Sequence, residues 1–166
     1  MTLPVSPTEF SSRLERGVKA ENVAMCALTL LGHKPEAISL AGTMELDFED
    51  RERHRKPDIK CVRCDLQFEI RSSVVGLTMG HSEARPFWED KPRTCIILHV
   101  NLENQRITAI RLADLMARCG DAERRVDGER HHPYLQWPAV VVNQIAIQLL
   151  PCTKDNSYQW RYCEGG

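Results

Sequence analysis

Residues 57–71 hold the pattern that most restricts this chain. Pro57 breaks a charged run, Asp58 to Val62 reads as a strand, Arg63-Cys64-Asp65 as a tight turn, and Leu66 to Arg71 as a second strand. The second strand alternates with period two, Leu66, Phe68 and Ile70 on one face and Gln67, Glu69 and Arg71 on the other. A hairpin with one apolar face needs a covering layer. The residues before it supply one. Ser6-Pro7-Thr8-Glu9 is a helix start: Ser6 can cap, Pro7 suits the first helical position, and Glu9 completes a capping box. Helical spacing continues through Phe10, Leu14, Val18, Met25, Leu28 and Leu31, and Gly32 is a natural stop. Glu21 falls on the apolar side of this stripe, where it either packs inward or snorkels to water from the stripe's edge.

The remaining segments extend the sheet. Ala37 to Leu40 is a weak strand, Met44 to Phe48 a clearer one, and the mixed-charge run Glu49 to Lys56 a solvated loop. Ser72 to Arg93 reads as a long polar loop or lid. Thr94 to Val100 reads as a buried strand, Arg106 to Ile110 as its neighbour, and Leu112 to Arg118 as a short helix ending at Gly120. Asp121 to Pro138 reads as polar loop, Ala139 to Asn143 as a last strand, Ile145 to Leu150 is ambiguous, and Tyr158, Trp160 and Tyr162 mark a tail. The expected fold class is α/β (mixed α+β), with a central mixed sheet flanked by helices. With 166 residues, 42% hydrophobic and 27% charged, the chain fits one domain spanning 1–166. The net charge of −1 excludes a strongly basic coat but leaves room for local basic patches. No apolar run is long enough for a membrane span, and Met1 to Phe10 lacks the pattern of a signal peptide. A soluble, cytoplasmic chain with no membrane partner is expected.

Two groups of residues carry chemistry. Asp58 and Glu69 share the polar face of the hairpin, Arg71 points the same way, and Glu21 adds a third carboxylate from the helix. A single acid on a sheet face is ordinarily just solvated. Clustered carboxylates repel one another unless a cation sits among them, and Mg²⁺ is the usual one. The second group is Cys61 and Cys64. Seven cysteines without a secretion signal argue against a disulfide framework. Cys61-Val-Arg-Cys64 is half of a zinc knuckle, and a full structural site needs four ligands. His81, His131, His132 or Cys152 would have to complete it across the fold; otherwise the pair is two reduced thiols. No Gly-x-Ser-x-Gly elbow, Walker loop or Gly-x-Gly-x-x-Gly turn is present, so serine-hydrolase, nucleotide-hydrolysing and dinucleotide-binding chemistry gain no support.

Four segments together resemble a known superfamily: Leu14-Glu-Arg-Gly-Val-Lys-Ala-Glu-Asn-Val-Ala24, Leu30-Leu-Gly-His33, Lys56-Pro-Asp-Ile59 and Phe68-Glu-Ile-Arg71. They look like the PD-(D/E)XK (restriction-endonuclease-like) nucleases, over about residues 9–115. The resemblance implies an αβββαβ core and a Mg²⁺- or Mn²⁺-dependent endonuclease that hydrolyses phosphodiesters of DNA. It implies a metal held by Asp58 and Glu69, with the Ile70 carbonyl as a further ligand and Glu21 ligating directly or through water. The chain departs from the family at Arg71, where the motif has Lys. Arg supplies charge but stays protonated, so it cannot act as a base. Lys60, two residues from Asp58, is the candidate to replace the missing ammonium. DNA would be gripped by Arg51, Arg53, Arg55, Lys56 and Arg85, with Arg124, Arg125 and Arg130 as a further run, and a homodimer is compatible with this reading. The alternative is a non-catalytic nucleic-acid- or protein-binding module that keeps a degenerate nuclease core, stabilised by zinc through Cys61 and Cys64. A third reading is a zinc-stabilised interaction domain with no nucleic-acid role.

Overall fold

The computed structural model describes residues 7–38, 57–73, 76–80, 95–126 and 133–152. Helix α1 (Pro7–Leu30) begins at the proline expected for its first position. It closes in a Schellman turn. Gly32 takes φ +80; its N–H donates to the Thr29 carbonyl at 3.0 Å, and the His33 N–H donates to the Leu28 carbonyl at 3.0 Å. The turn therefore fixes the direction in which His33 leaves the helix. The packed side of α1 is Ala20, Ala24 and Leu28, with Glu21 only 8% exposed beside them. Val18 and Met25, expected on the central stripe, are half-buried at its margin. Small residues at 20 and 24 let the helix backbone approach the sheet closely, so the contact line follows them. Glu21 belongs to the packed side.

The strands are β1 (Pro35–Ala37), β2 (Ile59–Cys61), β3 (Gln67–Ser72), β4 (Leu77–Gly80), β5 (Ile96–Asn101), β6 (Arg106–Arg111), β7 (Glu123–Val126), β8 (Pro133–Trp137) and β9 (Ala146–Ile147). Helix α2 (Leu112–Ala117) follows β6, and α3 (Ala139–Ile145) follows β8. Six strands form a mixed sheet in the order β1-β2-β3-β5-β6-β9, and β4-β8-β7 form a second sheet. All pairings are antiparallel except β3 with β5, which run parallel with Phe68 opposite Ile96 and Ile70 opposite Leu98. The mixed α/β class with a central mixed sheet flanked by helices is what the chain adopts.

β5 is apolar along nearly its whole length because both of its faces are covered, as a central strand with a parallel neighbour requires. Ile96, Leu98 and Val100 join Phe68 and Ile59 in a core under Ala20, Ala24 and Leu28 of α1. Cys95 and Ile97 face the other way, into a second core with Ile110, Leu112, Leu115, Trp137, Val141 and Val142. Each core buries several large side chains completely, at roughly 1.5–3 kcal/mol apiece. Among the described residues, no helix is long and apolar enough to cross a membrane.

Three segments differ from the sequence reading. The supposed loop Ser72 to Arg93 contains β4, whose Leu77 and Met79 are buried against β8. The supposed loop Asp121 to Pro138 contains β7 and β8; β7 is a fully exposed edge strand, so it carries no apolar alternation to read. Ala139 to Asn143 is helix, not strand. Its valines are β-formers by propensity, but Pro138 precedes the first turn and Val141 and Val142 reach the second core only from a helix. The strand expected at Ala37 to Leu40 sits two residues earlier, at β1. The expected strand at Met44 to Phe48, the loop at Glu49 to Lys56 and the aromatic tail lie outside the described residues.

Candidate metal centre

Three separate pieces of chain meet where α1 ends. His33 comes from the Schellman turn, Cys61 from the end of β2, Cys64 from the β2–β3 turn, and Cys152 from the segment after β9. Their ligand atoms all lie within 4.8 Å of one another, with three of the four residues buried. The local backbone explains the convergence. In the turn, the Asp65 N–H donates to the Cys61 carbonyl at 2.9 Å and the Cys61 N–H to the Leu66 carbonyl at 2.8 Å. Asp65 supplies the left-handed residue, at φ 60, a conformation that Asp tolerates better than most residues. The Val62 N–H ties this turn to the Lys34 carbonyl at 2.9 Å, and the Cys152 N–H ties the last segment to the Leu31 carbonyl at 2.8 Å.

Two of the donor separations suit a tetrahedral ion. Metal–sulfur bonds of about 2.3 Å and metal–nitrogen bonds of about 2.0 Å place tetrahedral ligands about 3.8 Å (S···S) and about 3.5 Å (S···N) apart. Cys61 Sγ and Cys152 Sγ are 3.7 Å apart, and Cys64 Sγ lies 3.5 Å from His33 Nδ1. These are free thiols, far from the roughly 2.05 Å of a disulfide. The histidine is oriented by an outer partner. Its Nε2 lies 3.0 Å from the Leu150 carbonyl; a carbonyl only accepts, so Nε2 carries the proton and Nδ1 presents its lone pair to the thiols. The ring also rests edge-on against Phe68, with centroids 5.7 Å apart.

Burial pushes the Cys61 thiol up, but the backbone N–H groups of Cys64, Lys34 and Arg63 outweigh it and hold the thiol below its ordinary value. Burial, added to by the neighbouring Cys61, pushes Cys64 up to about 12 and also raises Cys152. The pocket accommodates one thiolate readily and resists further ones without a cation. Together the four side chains could hold a metal, and thiolate with imidazole suits a zinc-like ion, not the oxygen-seeking Mg²⁺.

The carboxylate group is placed differently. The β2–β3 register sets Ile59 opposite Phe68, which extends to Asp58 opposite Glu69. Asp58 Oδ2 accepts the Ile70 N–H at 2.8 Å, carrying the β2–β3 pairing one step beyond the first residue of β2. Glu69 is 6% exposed and pairs with Arg71 at 3.4 Å. Lys60 points to the exposed turn and pairs with Asp65 at 3.4 Å. Helix α1, with Glu21, packs over the Phe68 side of β3, whereas alternation turns Glu69 toward the side of its partner Ile97. Arg51, Arg53, Arg55, Lys56, Arg85 and Arg130, as well as His81, His131 and His132, lie outside the described residues. Arg124 and Arg125 are on β7, where Arg125 pairs with Glu123 at 2.8 Å.

One polar pair carried no sequence signal. His99 on β5 is 8% exposed, and its Nε2 lies 2.8 Å from Ser73 Oγ. The Ser73 hydroxyl donates to the Gly76 carbonyl, so Ser73 accepts from His99 and its proton points away from the imidazole. This pair holds the chain before β4 and is not set up as nucleophile and base. Burial lowers the His99 pKa from its ordinary 6.5. The unfolded chain therefore takes up the proton first, and stability falls as pH drops through 6.5. The melting temperature of wild type is expected to fall more steeply from pH 7 to pH 5 than that of His99→Gln, both measured with the metal site intact; parallel slopes would exclude His99 as the cause.

Compared with family models, curated proteins and solved structures, the chain matches none of them.

Proposed function

We propose that this chain is a zinc-stabilised binding module, with the metal held by His33, Cys61, Cys64 and Cys152. The observation that carries this reading is the convergence of four donors from three distant segments, two of their separations matching tetrahedral coordination. Four protein ligands leave no open position for water or substrate, which is the mark of a structural site. The ion's work is to clamp the end of α1, the β2–β3 turn and the segment after β9 to one another. Function then belongs to the surfaces so held. Cobalt substitution tests the site: Co²⁺ is expected to give the intense visible absorption of a tetrahedral thiolate complex, displaced by Zn²⁺ and lost in Cys61→Ser. Only the pale spectrum of hydrated cobalt would count against it.

A second reading, a Mg²⁺-dependent nuclease acting on DNA, is favoured by one observation: Asp58 stands directly across β2–β3 from the buried Glu69, with Arg71 beside it. On this reading Asp58→Asn and Glu69→Gln each remove metal-dependent cleavage of plasmid DNA, by on the order of 10²-fold or more. Arg71→Lys retains it. Cleavage at the wild-type rate in both carboxylate variants would remove the assignment.

A further inference from the structure

A cleft of about 740 Å³ opens between the middle of α1, the end of β3 and the β5–β6 turn. Its charge is unlike that of the chain as a whole. Arg16 and Lys19 enter from one side of α1, three residues apart and so on a common face, and Arg71 enters from β3. Glu103 is the acid on its wall and Glu69 pairs with Arg71, so the cleft keeps one cation in excess of its acids in a chain whose net charge is −1. Ser72 and Thr78 add hydroxyl donors, and Ile70 and Leu102 give an apolar lining. Arg71 is held in place by its contact with Glu69 at 3.4 Å, and its side chain is 23% exposed. Arg16 and Lys19 are exposed.

We infer that this cleft binds a phosphate-bearing ligand of about nucleotide size. Two guanidinium groups and an ammonium lining one cleft from two elements match the oxygens of a phosphate better than the single charge of a carboxylate. Cavities of roughly 300–1,000 Å³ take ligands of that size. The apolar lining at Ile70 and Leu102 receives the uncharged part, and Glu103 accepts from a hydroxyl or amine. The grip comes from cationic side chains on rigid elements, with no glycine-rich phosphate loop. The inference rests on the reading of the chain as a binding module but not on the metal, which lies where α1 ends.

The experiment uses the full chain as purified and follows backbone amide shifts by NMR. The probes are adenosine monophosphate, adenosine, inorganic phosphate and a short oligothymidylate. Adenosine monophosphate is expected to shift amides around Arg16, Arg71 and Leu102 and to bind at least about tenfold more tightly than adenosine. Arg16→Glu/Lys19→Glu, at exposed helix positions, is expected to weaken it by at least about tenfold while leaving zinc content and melting temperature unchanged. If the oligothymidylate binds more tightly than the mononucleotide and loses affinity in the same variant, the phosphate comes from a strand. If free phosphate and the mononucleotide win, it comes from a small molecule. The inference is overturned if adenosine and its monophosphate bind alike, if the shifts fall elsewhere, or if the charge reversal changes nothing. A chain without zinc that still binds at the cleft would sink the metal reading alone; a zinc-loaded chain that binds none of the probes would sink this one.

Discussion

Cys152→Ser is expected to lower the melting temperature of the metal-loaded protein by roughly 10 °C, and to abolish the effect of a chelator. Cys152 is only partly buried, and among free thiols a serine exchange at such a position ordinarily changes stability by about 1 kcal/mol or less. A structural zinc site is a different case. Its ion binds with on the order of 10–16 kcal/mol, comparable with the whole stability of a domain, about 5–15 kcal/mol. Losing a quarter to a third of that, about 4 kcal/mol, moves the midpoint by about 8–16 °C in a chain of this size. The segment that Cys152 anchors also carries Ile147, Leu149 and Leu150, which pack on the α1 core. It should become more accessible to proteolysis in the variant. Thermal unfolding by circular dichroism, with and without a chelator, checks the expectation; a shift of one or two degrees in either experiment would mean that the thiols hold nothing.

Gly76→Ala is expected to cost about 3 kcal/mol or more, whereas Gly32→Ala should cost only about 1–2 kcal/mol. Both glycines have positive φ, +61 and +80, so both carry the left-handed penalty. They differ in what a methyl would meet. At Gly32 nothing lies within 4 Å, while at Gly76 the new carbon would sit 2.3 Å from the Trp137 carbonyl oxygen. That oxygen is backbone, in the β4–β8 pair. Trp137 is fully buried, with Nε1 donating to the Arg118 carbonyl at 3.0 Å. Nothing there gives way cheaply. Urea unfolding of both variants separates the two cases; equal costs would show that the crowding at Gly76 relaxes.

The parts of the fold readable in advance are those whose side chains repeat with the period of their element. Pro7 and Gly32 bracket α1, Phe68 and Ile70 mark β3, and the apolar run after Cys95 marks β5. What escaped had either no buried face, as in β7, or a tertiary demand that overrode propensity, as in the valines of α3. The metal centre was half legible. Cys61 and Cys64 stand at knuckle spacing, and Cys152 was among the candidate partners. His33 was not, because it comes from 31 residues before Cys64 and from another element. Its one local sign is its place immediately after the helix-ending Gly32, where the Schellman turn aims it. For the carboxylates, strand alternation gives the adjacency of Asp58 and Glu69. It could not foresee that Asp58 would spend an oxygen on the Ile70 N–H, or that α1 would pack over the other side of β3.

Elemental analysis of the protein, purified under reducing conditions without metal-affinity resin, tests the central claim most directly. The expected result is close to one zinc per chain in wild type and almost none in Cys61→Ser/Cys64→Ser. A folded, monodisperse wild-type protein containing no zinc, with a melting temperature unmoved by added Zn²⁺ or by a chelator, would contradict it.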